Sequence, residues 1–197
     1  MALIKSISGI RGTIGGKPGE SLSPVDIVKF TAAFGTWVQR RHNKNNLRIV
    51  VGRDARKSGS MVNNLVIASL RSLGINVTDL GMATTPTVEL AVTGTQSDGG
   101  IIITASHNPA EWNALKLLNE AGEFLSSEDG MKVLELAAAE ERGAAPQAPA
   151  IGIYPRPCLL DHAADGRSRA ARSSVRGDRL GRLGQIVVRD RLSALGL

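Results

Sequence analysis

From Val25 to Val38 apolar side chains recur at helical spacing: Val25, Ile27, Val28, Phe30, Phe34, Trp37 and Val38. Ser23, Pro24 and Asp26 supply the start signal of that helix. The hydroxyl can cap a free N–H, proline loses no bond in the first turn, and the carboxylate reaches back to the cap. Beyond it the period changes. "LRIVVGRD" is a short unbroken apolar run ending on polar residues, which reads as a buried strand. "SGSMVNNLVIASLRSLG" returns to helical spacing and stops at Gly74, and "INVTDLG" is a second strand. "TTPTVELAVTG" is a short helix with Pro86 near its start and Gly94 after its end. "GGIIITAS" and "ALKLLNE" are two further strands, and "SSEDGMKVLELAAAEER" is a helix with Ser126 and Asp129 as cap candidates.

Strands alternating with helices predict βαβ units with right-handed crossovers. The expected fold is a three-layer α/β/α domain over residues 1–142, its sheet mostly parallel and covered on both faces. In such sheets functional groups gather beyond the carboxyl ends of the strands, and "VGRD" and "TASHNP" both fall there.

Charge separates the rest of the chain from this body. Residues 1–150 hold 7 Lys and 8 Arg against 14 acidic residues, a balance of +1. Residues 151–197 hold 9 Arg and no Lys against 4 Asp and no Glu, a balance of +5. The excess that resembles a nucleic-acid signal therefore belongs to the last 47 residues. "GAAPQAPA" opens a linker at 143–155, followed by an irregular Arg-rich C-terminal tail at 156–197. A shifted reading frame in a GC-rich gene is the preferred account of the tail, and a genuine basic extension the alternative. The tail lacks interleaved aromatics and any long amphipathic helix, so specific nucleic-acid recognition is not expected. No apolar run approaches a membrane span, and the start, MALIKSISGI, does not read as a signal peptide. With Cys158 as its one cysteine, the chain suits a reducing, cytoplasmic setting.

The candidate chemistry sits in three short loops. There is no G-x-G-x-x-G, "GGKP" fails the phosphate-loop pattern at Pro18, and no serine lies in G-x-S-x-G. Three histidines and one cysteine make no zinc-type cluster. What remains is Arg11 between glycines in "SGIRGTIGG", then Arg53, Arg56 and Lys57 in "VGRDARKSG", then Ser106, His107, Asn108 and Lys116 in "TASHNPAEWNALK". A serine among arginine and lysine suits phosphate better than acyl transfer, because cations offset the charge of a moving phosphoryl group. Plainer roles stay open at this level: Ser106 as a turn or cap residue, His107 as a surface turn residue, Lys116 as a solvated strand residue, Arg11 as loop support, and Arg53 with Asp54 as an ion pair.

"TASHNP" followed by "LK", "SGIRGTIG" and "VGRDARKSG" occur in the order and at the spacing of three loops of the α-D-phosphohexomutases. That superfamily comprises phosphoglucomutases, phosphomannomutases and phosphoglucosamine mutases, and residues 1–142 resemble its N-terminal domain I. The resemblance implies an isomerase that moves phosphate between the 1- and 6-positions of a glucose, mannose or glucosamine phosphate. Phosphorylated Ser106 would donate its phosphoryl group to a sugar monophosphate, giving a bisphosphate intermediate that returns its other phosphoryl group to the serine. Lys116 matches the general acid/base, Arg11 the arginine that holds the phosphoryl group, and His107 belongs to the same motif. A phosphate oxygen on Ser106 would ligate Mg²⁺, and a hexose 1,6-bisphosphate would serve as activator.

The same resemblance marks departures. No D-G-D-x-D-R metal loop is present: the nearest strings, "ADGRS" and "RGDRL", do not supply its aspartates. The family's G-E-x-S-G sugar loop and R-x-S-G-T phosphate loop are missing as well. The 197 residues by themselves are therefore expected to be inactive, as the first part of a truncated or frame-shifted mutase. The alternative is a non-catalytic folded fragment with weak anion binding, or nonspecific nucleic-acid binding through its basic tail. Neither the sugar nor the oligomeric state follows from the sequence.

Overall fold

The computed structural model describes residues 2–6 and 9–141. The Ala/Pro linker at 143–155 and the Arg-rich tail at 156–197 lie outside the described residues. Among the described residues six strands and four helices follow one another: β1 (Leu3–Ser6), β2 (Gly9–Thr13), α1 (Pro24–His42), β3 (Arg48–Arg53), α2 (Gly59–Ser72), β4 (Asn76–Met82), α3 (Thr85–Gly94), β5 (Gly99–Ile103), β6 (Trp112–Leu118) and α4 (Ser127–Glu141).

Local signals set the helix ends. The Ser23 side chain accepts from the Asp26 N–H, and the Asp26 carboxylate accepts from the Ser23 N–H and the Ser23 hydroxyl. The same carboxylate accepts from the Gly19 N–H at 3.1 Å, so one buried side chain caps α1 and closes the preceding loop. Asn43, with φ 43°, ends the helix in the left-handed conformation. Ser126 caps α4 by accepting from the Asp129 N–H at 3.1 Å.

The strands form one sheet in the order β1-β2-β6-β5-β3-β4. Its core faces follow from the two-residue period of a strand. Ile49, Val51, Ile101 and Ile103 point to a large core shared with Phe30 and Phe34 of α1, Val62 and Val66 of α2, and Val133 of α4. Val50, Ile102 and Leu118 point the other way, to a small core closed by Val88 and Val92 of α3. Helix α3 approaches β3 and β5 closely because both strands carry glycine beneath it. A Cβ on Gly52 would lie 2.5 Å from Val88 Cγ2, and one on Gly100 would lie 2.7 Å from Val92 Cγ2.

The three-layer α/β/α class stands, and the sheet differs from the expectation in one half. β3 pairs in parallel with β4 and β5, whereas β5–β6, β6–β2 and β2–β1 are antiparallel. The reason is connection length. Residues 104–111 join β5 to β6, too few for the dozen or so that a parallel crossover needs, so the chain turns straight back. The covering of the second face is also partial. α3 packs on β3 and β5, and of β6 only Leu118 joins its small core. No helix among the described residues is long and apolar enough to cross a membrane.

Candidate active site

That open part of the sheet is where the singled-out residues meet. Arg11 of β2 pairs across with Ala114 of β6, and Ile102 of β5 pairs with Lys116. Cross-strand partners share a face, and so do residues two apart on one strand. Arg11, Ala114 and Lys116 therefore project from the α3 side of the sheet, while Leu115 and Leu117 project into the large core. The lysine in the middle of "ALKLL" is half-buried on that face and does not enter the large core.

The β5–β6 turn delivers the serine to the same place. β3 and β5 are parallel and Arg53 pairs with Ile103, so both strands end at one edge. The Thr104 N–H donates to the Ala114 carbonyl at 3.1 Å, and the Asn108 and Trp112 N–H groups close short turns on Ala105 and Pro109. Ser106 stands at the apex with φ 52°, in the left-handed region that a residue with a Cβ enters at a cost. This conformation presents the exposed hydroxyl over β6, where Lys116 Nζ donates to Ser106 Oγ at 2.9 Å.

Ser106, His107, Asn108, Lys116 and Arg11 line one cleft of about 260 Å³, together with Ser6, Gly9, Thr104, Ala105, Ala114 and Phe124. Its charged lining is cationic and includes no carboxylate, a field that favours a bound dianion. Gly9 permits the close fit of β2: a Cβ there would lie 2.4 Å from the Leu115 carbonyl oxygen, and its φ is 130°. Phe124, 41% exposed, places its ring 5.7 Å from Lys116 Nζ. Neither Arg11 nor His107 has a side-chain hydrogen bond or ion pair among the described residues, so both can meet a ligand.

Two expectations at the "VGRDARKSG" loop are corrected. Arg53, Arg56 and Lys57 do not line the cleft. Asp54 pairs with Arg56, whose Nε donates to Oδ2 at 3.2 Å, while Arg53 reaches only the Asp54 backbone carbonyl. A guanidinium two residues on in a tight turn can fold back over the carboxylate, whereas the neighbouring side chain of a strand points to the opposite face. Reading single residues also missed two supports. The Thr104 hydroxyl donates to Asp54 at 2.6 Å and accepts from the Ser106 N–H at 3.0 Å. Asn113, fully buried, donates from Nδ2 to Ser58 Oγ at 2.9 Å, fastening the start of β6 to the start of α2. An asparagine inside an apolar strand run was the signal available for the latter.

A metal ion does not fit on these residues alone. Mg²⁺ takes near-octahedral oxygen ligands, and the cleft supplies Ser106 Oγ with no carboxylate beside it. No group of three or more His, Cys, Asp or Glu suited to a metal occurs among the described residues. A second acid–base pairing involves no residue of the cleft lining. Arg41 Nη2 bonds Glu120 at 2.8 Å, and that hydrogen bond holds the Glu120 carboxyl below its usual range.

With this geometry in view, the family model described as phosphoglucomutase/phosphomannomutase, alpha/beta/alpha domain I, matches residues 3–144. The chain belongs to that family. A phosphoglucomutase/phosphomannomutase of Thermococcus kodakarensis is 42% identical over 132 residues, covering 66% of this chain and 29% of the relative. A phosphoglucosamine mutase of Helicobacter pylori is 38% identical over 134 residues, covering 67% and 30%. A phosphoglucomutase/phosphomannomutase family protein from Burkholderia thailandensis superposes with a TM-score of 0.60 at 25% identity, covering 70% of this chain and 30% of that one. The chain thus spans under a third of the length of these mutases. The match to family domain I ends close to where the described residues end.

Proposed function

We propose that this domain supplies the phosphoryl-carrying serine of a hexose phosphate mutase, with Ser106 as carrier and a sugar monophosphate as substrate. The observation that carries the reading is Ser106 Oγ on a left-handed turn at the sheet edge, 2.9 Å from Lys116 Nζ, in a cleft that also holds Arg11. When Oγ attacks the phosphorus of a hexose 1,6-bisphosphate, the Oγ–P bond forms and the donor's P–O bond breaks. The hydroxyl proton needs an acceptor, and the Lys116 amine is the base within reach; the resulting ammonium protonates the sugar oxygen released as the donor's P–O bond breaks. Arg11 neutralises charge on the transferring group, with five fixed donors that suit phosphate oxygens. His107, which lines the same cleft, supplies a further hydrogen bond to the phosphoryl group.

Reversal of that step onto the other hydroxyl of the sugar gives net movement of phosphate between the 1- and 6-positions. Mg²⁺, proposed as cofactor through the phosphoserine, needs ligands beyond the described residues. Full turnover is likewise proposed to need residues outside this domain.

The test is intact mass of the 197-residue chain before and after incubation with glucose 1,6-bisphosphate and Mg²⁺, beside Ser106→Ala. A gain of one phosphoryl group, absent from the alanine variant, supports the reading. A folded wild-type chain that gains nothing, or an alanine variant that gains the same, overturns it.

A further inference from the structure

Arg56 does not line the cleft, yet its guanidinium is engaged almost entirely with the Ser106 loop. Nη2 donates to the carbonyls of Ser106 and Asn108 at 2.8 and 2.7 Å. Nη1 donates to those of Pro109 and Trp112 at 2.6 and 3.0 Å. Nε donates to Asp54 Oδ2, and the Arg56 side chain is only 12% exposed. Every nitrogen of the fork is engaged, with none left to meet a ligand.

The pattern closes on itself. Asp54 Oδ2 accepts from Arg56 Nε and from the Thr104 hydroxyl. Thr104 Oγ1 in turn accepts from the Ser106 N–H, and Arg56 Nη2 holds the Ser106 carbonyl. Both backbone groups of the one left-handed residue in the loop are thus pinned, by two arms that converge on a single carboxylate. The loop's own turns, Asn108 to Ala105 and Trp112 to Pro109, leave the Ser106 carbonyl free, so they cannot set its conformation alone. We propose that Arg56, oriented by Asp54, is the positioning residue that keeps Ser106 in the conformation competent for phosphoryl transfer. This rests on the reading of Ser106 as carrier. A lysine keeps the charge but not the planar fork, so it cannot span carbonyls from Ser106 to Trp112.

Two readouts on the 197-residue chain test this, compared between wild type and Arg56→Lys. One is hydrogen–deuterium exchange of the segment 104–111, and the other is the rate of phosphoryl uptake from glucose 1,6-bisphosphate, with Ser106→Ala as blank. Exchange in the loop should rise by about tenfold or more while β3 and β5 stay protected. The maximal uptake rate should fall by about tenfold or more, with the half-saturating donor concentration changed by less than about twofold. An unchanged loop, or a loosened loop with an unchanged maximal rate, overturns the proposal. If Arg56→Lys loses protection everywhere, Asp54→Asn, which leaves the fork in place and removes its orienting charge, decides by the same criteria. Absence of uptake in wild type would strike the carrier reading instead, and the loop exchange would still decide whether Arg56 holds the loop.

Discussion

Glycine at position 106 is expected to give a more stable domain than alanine, although both variants lose the hydroxyl and with it phosphoryl uptake. The φ of 52° costs a residue with a Cβ roughly 1–2 kcal/mol, and glycine avoids that cost. Against this, glycine gives the unfolded chain more freedom, worth roughly 0.4–1 kcal/mol. The hydrogen bond from Lys116 is lost in both and cancels in the comparison. The difference left is about 0.5–1 kcal/mol in favour of glycine, which at about 2–4 °C per kcal/mol for a domain of this size is a Tm gap of a few degrees. Thermal unfolding followed by circular dichroism, with urea midpoints as a second measure, reads it directly. An alanine variant as stable as the glycine variant would refute the reasoning, because it would mean that residue 106 is not left-handed in solution.

Three further outcomes are expected. Lys116→Ala should slow phosphoryl uptake by about 10²–10⁴, the usual worth of a positioned acid–base group, and Lys116→Arg should not restore it because a guanidinium does not give up its proton; full activity of the arginine variant would reduce Lys116 to a charge. Gly52→Ala should lower the urea midpoint by the equivalent of about 1–3 kcal/mol, since the new methyl would meet Val88 at 2.5 Å and push α3 off the sheet, and an unchanged midpoint would contradict that packing. Glu120→Gln should cost less than about 1 kcal/mol, the pair with Arg41 being exposed to solvent. Because the folded-state pKa of Glu120 lies below its ordinary 4.5, that contribution is present above this pH and is lost as pH falls through the folded value. The Tm gap between wild type and Glu120→Gln at pH 7 should therefore close in strong acid, and a gap that widens there would count against the pairing.

The helices were legible because their signals are local. Ser23, Pro24 and Asp26 act within one turn, and the structure shows the capping box they announce. The strand runs at 48–53, 76–82 and 112–118 were legible from apolar spacing and length. β1 and β2 were not, since "SGIRGT" carries glycines that read as loop and joins the sheet only through pairing with β6. The antiparallel return of β6 could have been read from the length of its connection, but the alternation of strands and helices outweighed it. At the site, the motif residues Ser106, His107, Lys116 and Arg11 do line one cleft, while Arg53, Arg56 and Lys57 do not. Nothing in the order of those seven residues separates the two sets.

The sequence by itself determined the α/β class, most of the elements and their ends, and which short loops carry the candidate residues. Helical period, capping and β-branched runs act over a few residues and need no distant partner. Only the tertiary structure decided which cations line the cleft and which brace the loop. Arg11 and Lys116 share a face through the registers of β2, β6 and β5, and Arg56 is drawn behind Ser106 because parallel pairing ends β3 and β5 at one edge. A side chain's direction depends on pairing parity, where a slip of one residue reverses the face, and that is set by strands far apart in the chain.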